Sequence, residues 1–495
     1  MRGKPVVVVG AGIGGLACAV SLAARGARVT VVEAAPGPGG RMRQTFPAGL
    51  PVDSGPTVLT LTAVFEELFA QTGERLSDHL SLQPLSVLAR HAWSASDRLD
   101  LHADHQQSRA AIADFAGGRE ADGFDRFCQD ARTLYEGLYL SFMRSQRPGL
   151  LQFAARLGPL RAFQLRAGQP FASLWSTLGR YFHDPRLRQL FGRYATYVGS
   201  SPYEAPAVLM LIAQVEMNGV HAVQGGMAKL AQALAELGAR RGVEFHYGQR
   251  VAQILTEGGR VCGIESQDGM RQSAAAVVFN GDPGALLAGG LGGSACSAVA
   301  AAPPAPSMSA LTYAWQARAR GFPLAYHSVF FSDDYAREFE QLFGRRELPA
   351  APTVYLCAQD RITDQSPAPA SERLFAIINA PALRNAQDGG PDHAARARAR
   401  EAALALLARC GLELQIEGEV CTGPAEFAQL FPGTAGAIYG QACHGWKAPF
   451  ARPGARSRLP GLYLTGGGVH PGPGVPMVAI SGQLAADAVA ADLAG

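Results

Sequence analysis

Residues 6–16 read VVVVGAGIGGL, and residues 29–33 read VTVVE. A run of β-branched residues makes a buried parallel strand, glycines turn it into a helix, and a second such strand ends on an acid. The pattern predicts a dinucleotide clamp. Gly10 permits the tight turn, Gly12 lets backbone N–H groups approach a pyrophosphate, and Gly15 lets the helix pack closely on its strand. Ile13 and Gly14 lie in the first turn of that helix, whose N-terminus offers unpaired donors and a partial positive charge to phosphates. Glu33 stands where a carboxylate meets a ribose hydroxyl, which favours an adenosine without a 2′-phosphate.

With 495 residues, 48% of them hydrophobic, the chain has room for more than one core. The formal charge is only +3, lysine occurs only at 4, 229 and 447, and no nucleic-acid motif is present, so a nucleic-acid partner is not expected. The uncharged run 5–24 follows Arg2 and Lys4 in the manner of a signal peptide or a membrane span. Its glycines at fingerprint positions and the strand that follows assign it to nucleotide binding instead. The eight cysteines form no CxxC pair and read as reduced thiols, with neither a disulfide framework nor a metal site.

Further segments return to the clamp. Gly39, Gly40 and Arg41 form a glycine turn with a fixed cation, either a surface loop or, directly after the clamp, a second contact with ribose and phosphate. Asp53, Ser54, Gly55, Pro56 and Thr57 make a strand end and a bend able to lie beside a flat ring. Strands expected within 243–279 lead the chain back to the nucleotide sheet, with Val251 against adenine. At the far end, a strand at 462–465 enters the loop GGGVHPGPGVPM (466–477) and then a helix, a second anion-receptive turn that includes Gly466, Gly467, Val475 and Met477.

Between these lie helices and short strands over 62–140, including a hairpin at 86–102 whose His91 and His102 read as structural. Strands near 309–315, 326–331, 353–357 and 374–379, with helices near 334–343 and 392–410, suggest a second domain. Residues 150–194 hold seven arginines against one acid, interleaved with aromatic and aliphatic residues. That composition suits either a basic amphipathic surface on a bilayer or a helical subdomain with a solvated face.

Together these motifs resemble the bacterial-type carotenoid desaturases, relatives of phytoene desaturase among the amine-oxidase-like FAD proteins. The resemblance spans nearly the full length and rests on residues 10–15 with Glu33, on 39–41, on 53–57 and above all on 466–477. Residues 90–93, 184–197 and 444–446 are most similar to the 1-hydroxycarotenoid 3,4-desaturase branch. The resemblance implies an α/β fold in which an FAD-binding Rossmann-like domain (1–60, 215–290 and 455–495) is joined to a discontinuous α+β substrate domain (61–214 and 291–454). Residues 150–194 are the candidate membrane contact. It further implies FAD as cofactor and an acyclic C40 carotenoid as substrate. No NAD(P) site is expected, electrons pass to oxygen or a quinone, and the protein sits in the cytoplasm on the inner face of the cell membrane.

The chemistry implied is desaturation of the C3–C4 bond of a 1-hydroxy or 1-methoxy carotenoid, with hydride passing to flavin and a proton leaving the neighbouring carbon. His470 is a candidate group beside the ring, as proton acceptor, as stabiliser of reduced flavin, or as a structural residue of the loop. Asp53 is a candidate proton acceptor or a brace. Two other readings stand beside this one: a phytoene desaturase acting elsewhere on the C40 chain, and a non-catalytic lipid-binding module of related fold.

Overall fold

The structure, a computed structural model, describes residues 1–149, 152, 156, 172–300, 305–362, 370–385 and 387–494. Among them, a five-stranded parallel sheet is built round Pro5–Val9. This strand is buried on both faces, as its unbroken β-branched run requires. It pairs with Arg28–Val32 on one side (Val6 opposite Val29, Val8 opposite Val31) and with Ala276–Phe279 on the other. Glu244–His246 and Leu462–Leu464 close the two edges. Strands far apart in sequence therefore share one sheet, and the helices Ile13–Ala24 and Val475–Ala494 pack together against it.

The return to this sheet differs in part from the sequence expectation. Val251–Glu257, Arg260–Ser266 and Arg271–Ser273 form a separate three-stranded antiparallel sheet, leaving only Glu244–His246 and Ala276–Phe279 in the parallel one. The short glycine-containing turns at 258–259 and 267–270 let each strand fold straight back on its predecessor, which is hairpin rather than crossover geometry.

A second, seven-stranded sheet runs in the order Leu412–Thr422, Ser309–Gly321, Glu372–Ala380, Val354–Ala358, His327–Phe330, Val87–Ala92 and Arg98–His102. Only His327–Phe330 and Val87–Ala92 run parallel in it. Strand alternation divides its residues between two environments. Leu374, Ala376 and Ile378 join a core with Ala399, Ala403, Leu406 and Leu407 of the helix His393–Arg409. Phe375, Ile377 and Asn379, one residue out of step, face a cavity on the other side. The helices Gly118–Leu138 and Leu211–Met217 roof that cavity.

The basic aromatic stretch is largely internal where it is described. Leu174, Leu178, Phe182, Leu187, Leu190, Phe191 and Tyr194 are all buried. Phe182 and Phe191 stack at 4.6 Å between ring centroids, and the Arg186 guanidinium lies 4.0 Å over Phe115 and pairs with Asp184. In residues 172–194 the expectation of a lipid-facing surface is therefore corrected, because these rings make core contacts and the arginines cap them. Residues 150, 151, 153–155 and 157–171 lie outside the described residues.

Candidate active site

A cavity of about 1880 Å³ runs from the glycine clamp to the inner face of the seven-stranded sheet. Its first part is lined by Gly10, Gly12, Ile13, Glu33, Gly40, Arg41, Gly55, Pro56, Thr57, Val251, Gly466, Gly467, Val475 and Met477. Fourteen residues taken from widely separated stretches thus border one space. Gly10 makes its turn at φ +102°, a conformation that a side chain would strain. Gly14 and Gly15 do not line the cavity. A Cβ on Gly15 would collide with the Gly10 carbonyl, and one on Gly14 would press on Asn280 and Thr465. Gly15 thus packs closely behind the clamp as its place in the motif predicts, and Gly14 shares that packing role rather than bordering the cavity.

The clamp suits an anionic dinucleotide. Gly12 precedes the first helix without a side-chain cap, so no side chain competes for the first-turn N–H groups. Glu33 accepts hydrogen bonds from the Ala11 N–H (2.6 Å) and the Ala35 N–H (2.8 Å). Each carboxylate oxygen keeps a further lone pair, which suits a ribose hydroxyl. A Cβ on Gly40 would stand 3.2 Å from the Gly12 Cα, so the two glycine turns meet backbone to backbone. The Gln249 side-chain oxygen Oε1, on the cavity wall, is buried with no hydrogen-bond partner among the described residues. These are the features an FAD cradle needs.

Sequence reasoning found Arg41 but missed Arg452 and Asp282, which lie with it by the second glycine loop. Arg452 is buried and donates to the Gly467 carbonyl (2.8 Å) and the Gln441 carbonyl (2.9 Å). Burial lowers its pKa to about 10, against the neighbouring Asp282 carboxylate. Arg41 donates to the Ile438 carbonyl (2.8 Å) and lies 5.2 Å from the Phe431 ring centroid. Burial raises the pKa of Asp282, while the Gly284 N–H and the two guanidinium groups pull it down. Two cations against one carboxylate leave the loop electropositive, as an anionic ligand edge requires. The Asp282-Pro283 pair after a buried strand was the available signal, since Asp before Pro caps a helix start. Asn280 has a packing role: its side-chain amide donates to the Gly10 carbonyl at 3.3 Å.

Neither candidate proton acceptor faces the cavity. The His470 Nε2 lies 2.9 Å from the Phe142 carbonyl and 3.0 Å from the Ser145 carbonyl, and its ring meets Phe142 edge-on. Burial pushes its pKa down to about 4, so it is neutral at pH 7 and donates one proton to that carbonyl pair. It ties the glycine loop to the segment after the long helix. Asp53 accepts from the Met227 N–H (2.5 Å) and the Gln44 amide (3.0 Å), while its backbone exchanges hydrogen bonds with the Gln359 side chain. It joins the strand at 52–53 to the helix Ala228–Arg240 and to the seven-stranded sheet. Of the roles the sequence left open, these hydrogen bonds favour that of a brace for both residues. His91 is likewise structural, fully buried with Nδ1 3.2 Å from the Leu99 carbonyl.

Beyond the clamp the lining is mainly aliphatic and aromatic: Leu134, Leu138, Val208, Leu211, Ile212, Val329, Phe375 and Ile377 among others. Thr57 joins the two regions through a 2.6 Å hydrogen bond with the Tyr355 hydroxyl. A flat redox group at the glycine loops would therefore face a long apolar chamber.

Known proteins match at both levels. The model of the flavin containing amine oxidoreductase family matches residues 13–347. A hydroxyneurosporene desaturase of Rubrivivax gelatinosus is 50% identical over 500 residues, covering 100% of this chain and 94% of the relative. A phytoene dehydrogenase of Streptomyces griseus is 32% identical, with 98% and 93% covered. The crystal structure of an oxidoreductase from Methanosarcina mazei superposes with a TM-score of 0.61 at 17% identity, covering 98% of this chain and 100% of that one. The chain belongs to the flavin containing amine oxidoreductase family, within its carotenoid desaturase branch, and is an FAD-dependent oxidoreductase.

Proposed function

We propose that the protein introduces the C3–C4 double bond into acyclic 1-hydroxy or 1-methoxy carotenoids such as hydroxyneurosporene. The observation that carries this reading is the full-length 50% identity to a hydroxyneurosporene desaturase, against 32% to a phytoene dehydrogenase. The apolar chamber opening onto the clamp supports it from the physical side, because a C40 polyene needs a long dry channel that ends at the redox group. When bound, FAD supplies the acceptor for a hydride leaving an allylic carbon. The chain's part is to hold the reacting bond at near-attack distance and to keep water away. Val329, Phe375 and Ile377 form one wall for the polyene and Leu134, Leu138 and Ile212 the other. Thr57, fixed by Tyr355, sets where that chamber meets the clamp.

In this reading residues 1–60, 215–290 and 455–495 hold the cofactor and residues 61–214 and 291–454 hold the substrate, a division supported by the membership of the two large sheets. Electrons leave for oxygen or a quinone. The protein works from the cytoplasm at the inner face of the cell membrane, where its substrate dissolves. The surface we assign to that contact includes the exposed Leu140 and Trp446.

Anaerobic incubation of the FAD-loaded protein with hydroxyneurosporene and, separately, with phytoene tests the proposal by chromatography of the products. Desaturation of hydroxyneurosporene at C3–C4 is the expected result. Conversion of phytoene alone would replace the reading with the phytoene desaturase one, and a protein that retains no flavin and converts neither would favour a lipid-binding module.

A further inference from the structure

Among the described residues, the chamber wall outside the glycine clamp includes a buried ion pair. Arg193, first residue of the 3-10 segment Arg193–Val198, donates from one terminal nitrogen to Glu216 Oε2 (3.1 Å) and from the other to Oε1 (3.4 Å). The Tyr194 hydroxyl donates to the same Oε2 (2.8 Å) and the Tyr197 hydroxyl to Oε1 (2.5 Å). Arg193 also donates to the Tyr197 oxygen and lies 4.8 and 5.3 Å from the two ring centroids. Glu216 thus accepts four hydrogen bonds, the full capacity of an ionised carboxylate. Burial pulls the Arg193 pKa down, but Glu216 and the two tyrosines hold it above its ordinary value, so the guanidinium stays charged.

Such a pair is a poor way to gain stability. Charges removed from water cost several kcal/mol each, and hydrophobic replacement of a buried pair is often neutral or favourable. Its presence in an apolar chamber therefore calls for a polar task. Arg193 and Glu216 are 4% exposed each, whereas Tyr197 keeps intermediate exposure and lines the chamber. Its oxygen gives its one hydrogen to Glu216 and receives one from Arg193, leaving a lone pair free to accept another. The Tyr335 hydroxyl, on the same chamber, has no partner among the described residues.

The position is as informative as the chemistry. Tyr197 is close enough to Tyr355 to act on it electrostatically, and Tyr355 is the residue bonded to Thr57 at the clamp. Gly199, which ends the segment, accepts from the Met308 N–H (2.9 Å). The neighbouring Ser307 hydroxyl accepts from the Tyr439 N–H (3.1 Å), and the Tyr439 carbonyl shares Arg452 with Gly467. The cluster is thus tied to the flavin end of the chamber. A substrate hydroxyl on C1 is only two carbon–carbon bonds from C3, so its receptor has to lie at that end.

We propose that Tyr197, held by Arg193 and Glu216, is the specificity-determining residue that accepts the hydrogen of a tertiary hydroxyl next to the bond being desaturated. This rests on the reading given under Proposed function. A chain without the hydroxyl leaves the Tyr197 oxygen dry and unpaired, and sites built for a polar partner reject the analogue that lacks it. A methyl ether has no hydrogen to give, so it binds less well than the alcohol.

The test uses the FAD-loaded protein and its Tyr197→Phe variant, checked for flavin content and melting temperature. kcat/KM is measured on hydroxyneurosporene and on the 1,2-dihydro analogue that lacks only the hydroxyl. The ratio of the two is expected to fall at least tenfold in the variant, mainly through KM for the alcohol. An unchanged ratio in a variant that keeps its flavin, with the unaltered protein preferring the alcohol, overturns the proposal. Failure of the unaltered protein to desaturate hydroxyneurosporene at C3–C4 overturns the wider reading instead. A binding arm needs neither turnover nor a variant: the flavin absorbance change is followed during anaerobic titration with the alcohol, its methyl ether and the deoxy chain. The alcohol is expected to bind at least tenfold more tightly than the deoxy chain, and equal affinity for all three also overturns the proposal.

Discussion

Glu33 carries more than the ribose contact that its place in the sequence suggests, because its two oxygens also anchor the Ala11 and Ala35 N–H groups on either side of the clamp. Glu33→Ala removes both anchors and is expected to raise the Kd for FAD by about tenfold or more, read from flavin fluorescence released on dilution. His470 gives a pH dependence. Its folded pKa of about 4 lies below the ordinary 6.5, so the folded protein binds fewer protons than the unfolded chain. The stabilisation is complete above pH 6.5 and is lost as pH falls toward 4, amounting to about 2 kcal/mol by pH 5. His327, pushed down to about 3 by burial and by Arg193, acts in the same direction. Urea midpoints at pH 7 and pH 5 should therefore differ less for His470→Gln than for the unaltered protein. The clamp was legible because every requirement falls within a short span. The Arg193–Glu216 pair was not, since its partners sit on different elements and only the fold brings them together.

The first and last helices meet through small residues, and that contact couples the two glycine loops. A Cβ on Gly482 would stand 2.9 Å from the Ala17 Cβ and press on the Gly14 carbonyl. Gly482→Val is expected to cost about 1–3 kcal/mol by overpacking and to lower the flavin content of purified protein, measured by denaturant titration and by the 450 nm to 280 nm absorbance ratio. The terminal strand and helix were legible from a run of apolar residues behind a glycine-proline loop. The stretch 172–194 was misjudged for a physical reason: arginines among aromatic rings have the same composition whether they meet lipid phosphates or cap a core. Arg186 over Phe115 and Arg188 over Trp175 do the latter. Likewise, His470 and Asp53 have side chains suited to proton transfer, and only their hydrogen-bond partners reveal that both are committed to holding loops.

The assembled molecule places its apolar chamber near an exposed rim. Leu140 is 72% exposed and Trp446 39%, and Trp446 lines the chamber with Phe142 and Phe450, whose rings meet edge-on at 5.3 Å. If this rim enters a bilayer, Leu140→Asp with Trp446→Asp should reduce co-sedimentation with vesicles containing anionic lipid several-fold while leaving the flavin spectrum intact. Equal sedimentation of the two proteins would move the contact elsewhere. The parallel sheet carries a different implication. Its strands at 5–9, 28–32, 244–246 and 276–279 leave the ribosome well before 462–464, which completes one edge. The glycine loop at 466–477 and the Arg452 beneath it emerge later than nearly everything they serve. A nascent chain therefore presents an adenosine site long before the opposite wall of the cradle exists. Sealing of the cradle is therefore a late step in its assembly, and a translation arrest ahead of the glycine loop would release a chain with an open, unsealed clamp.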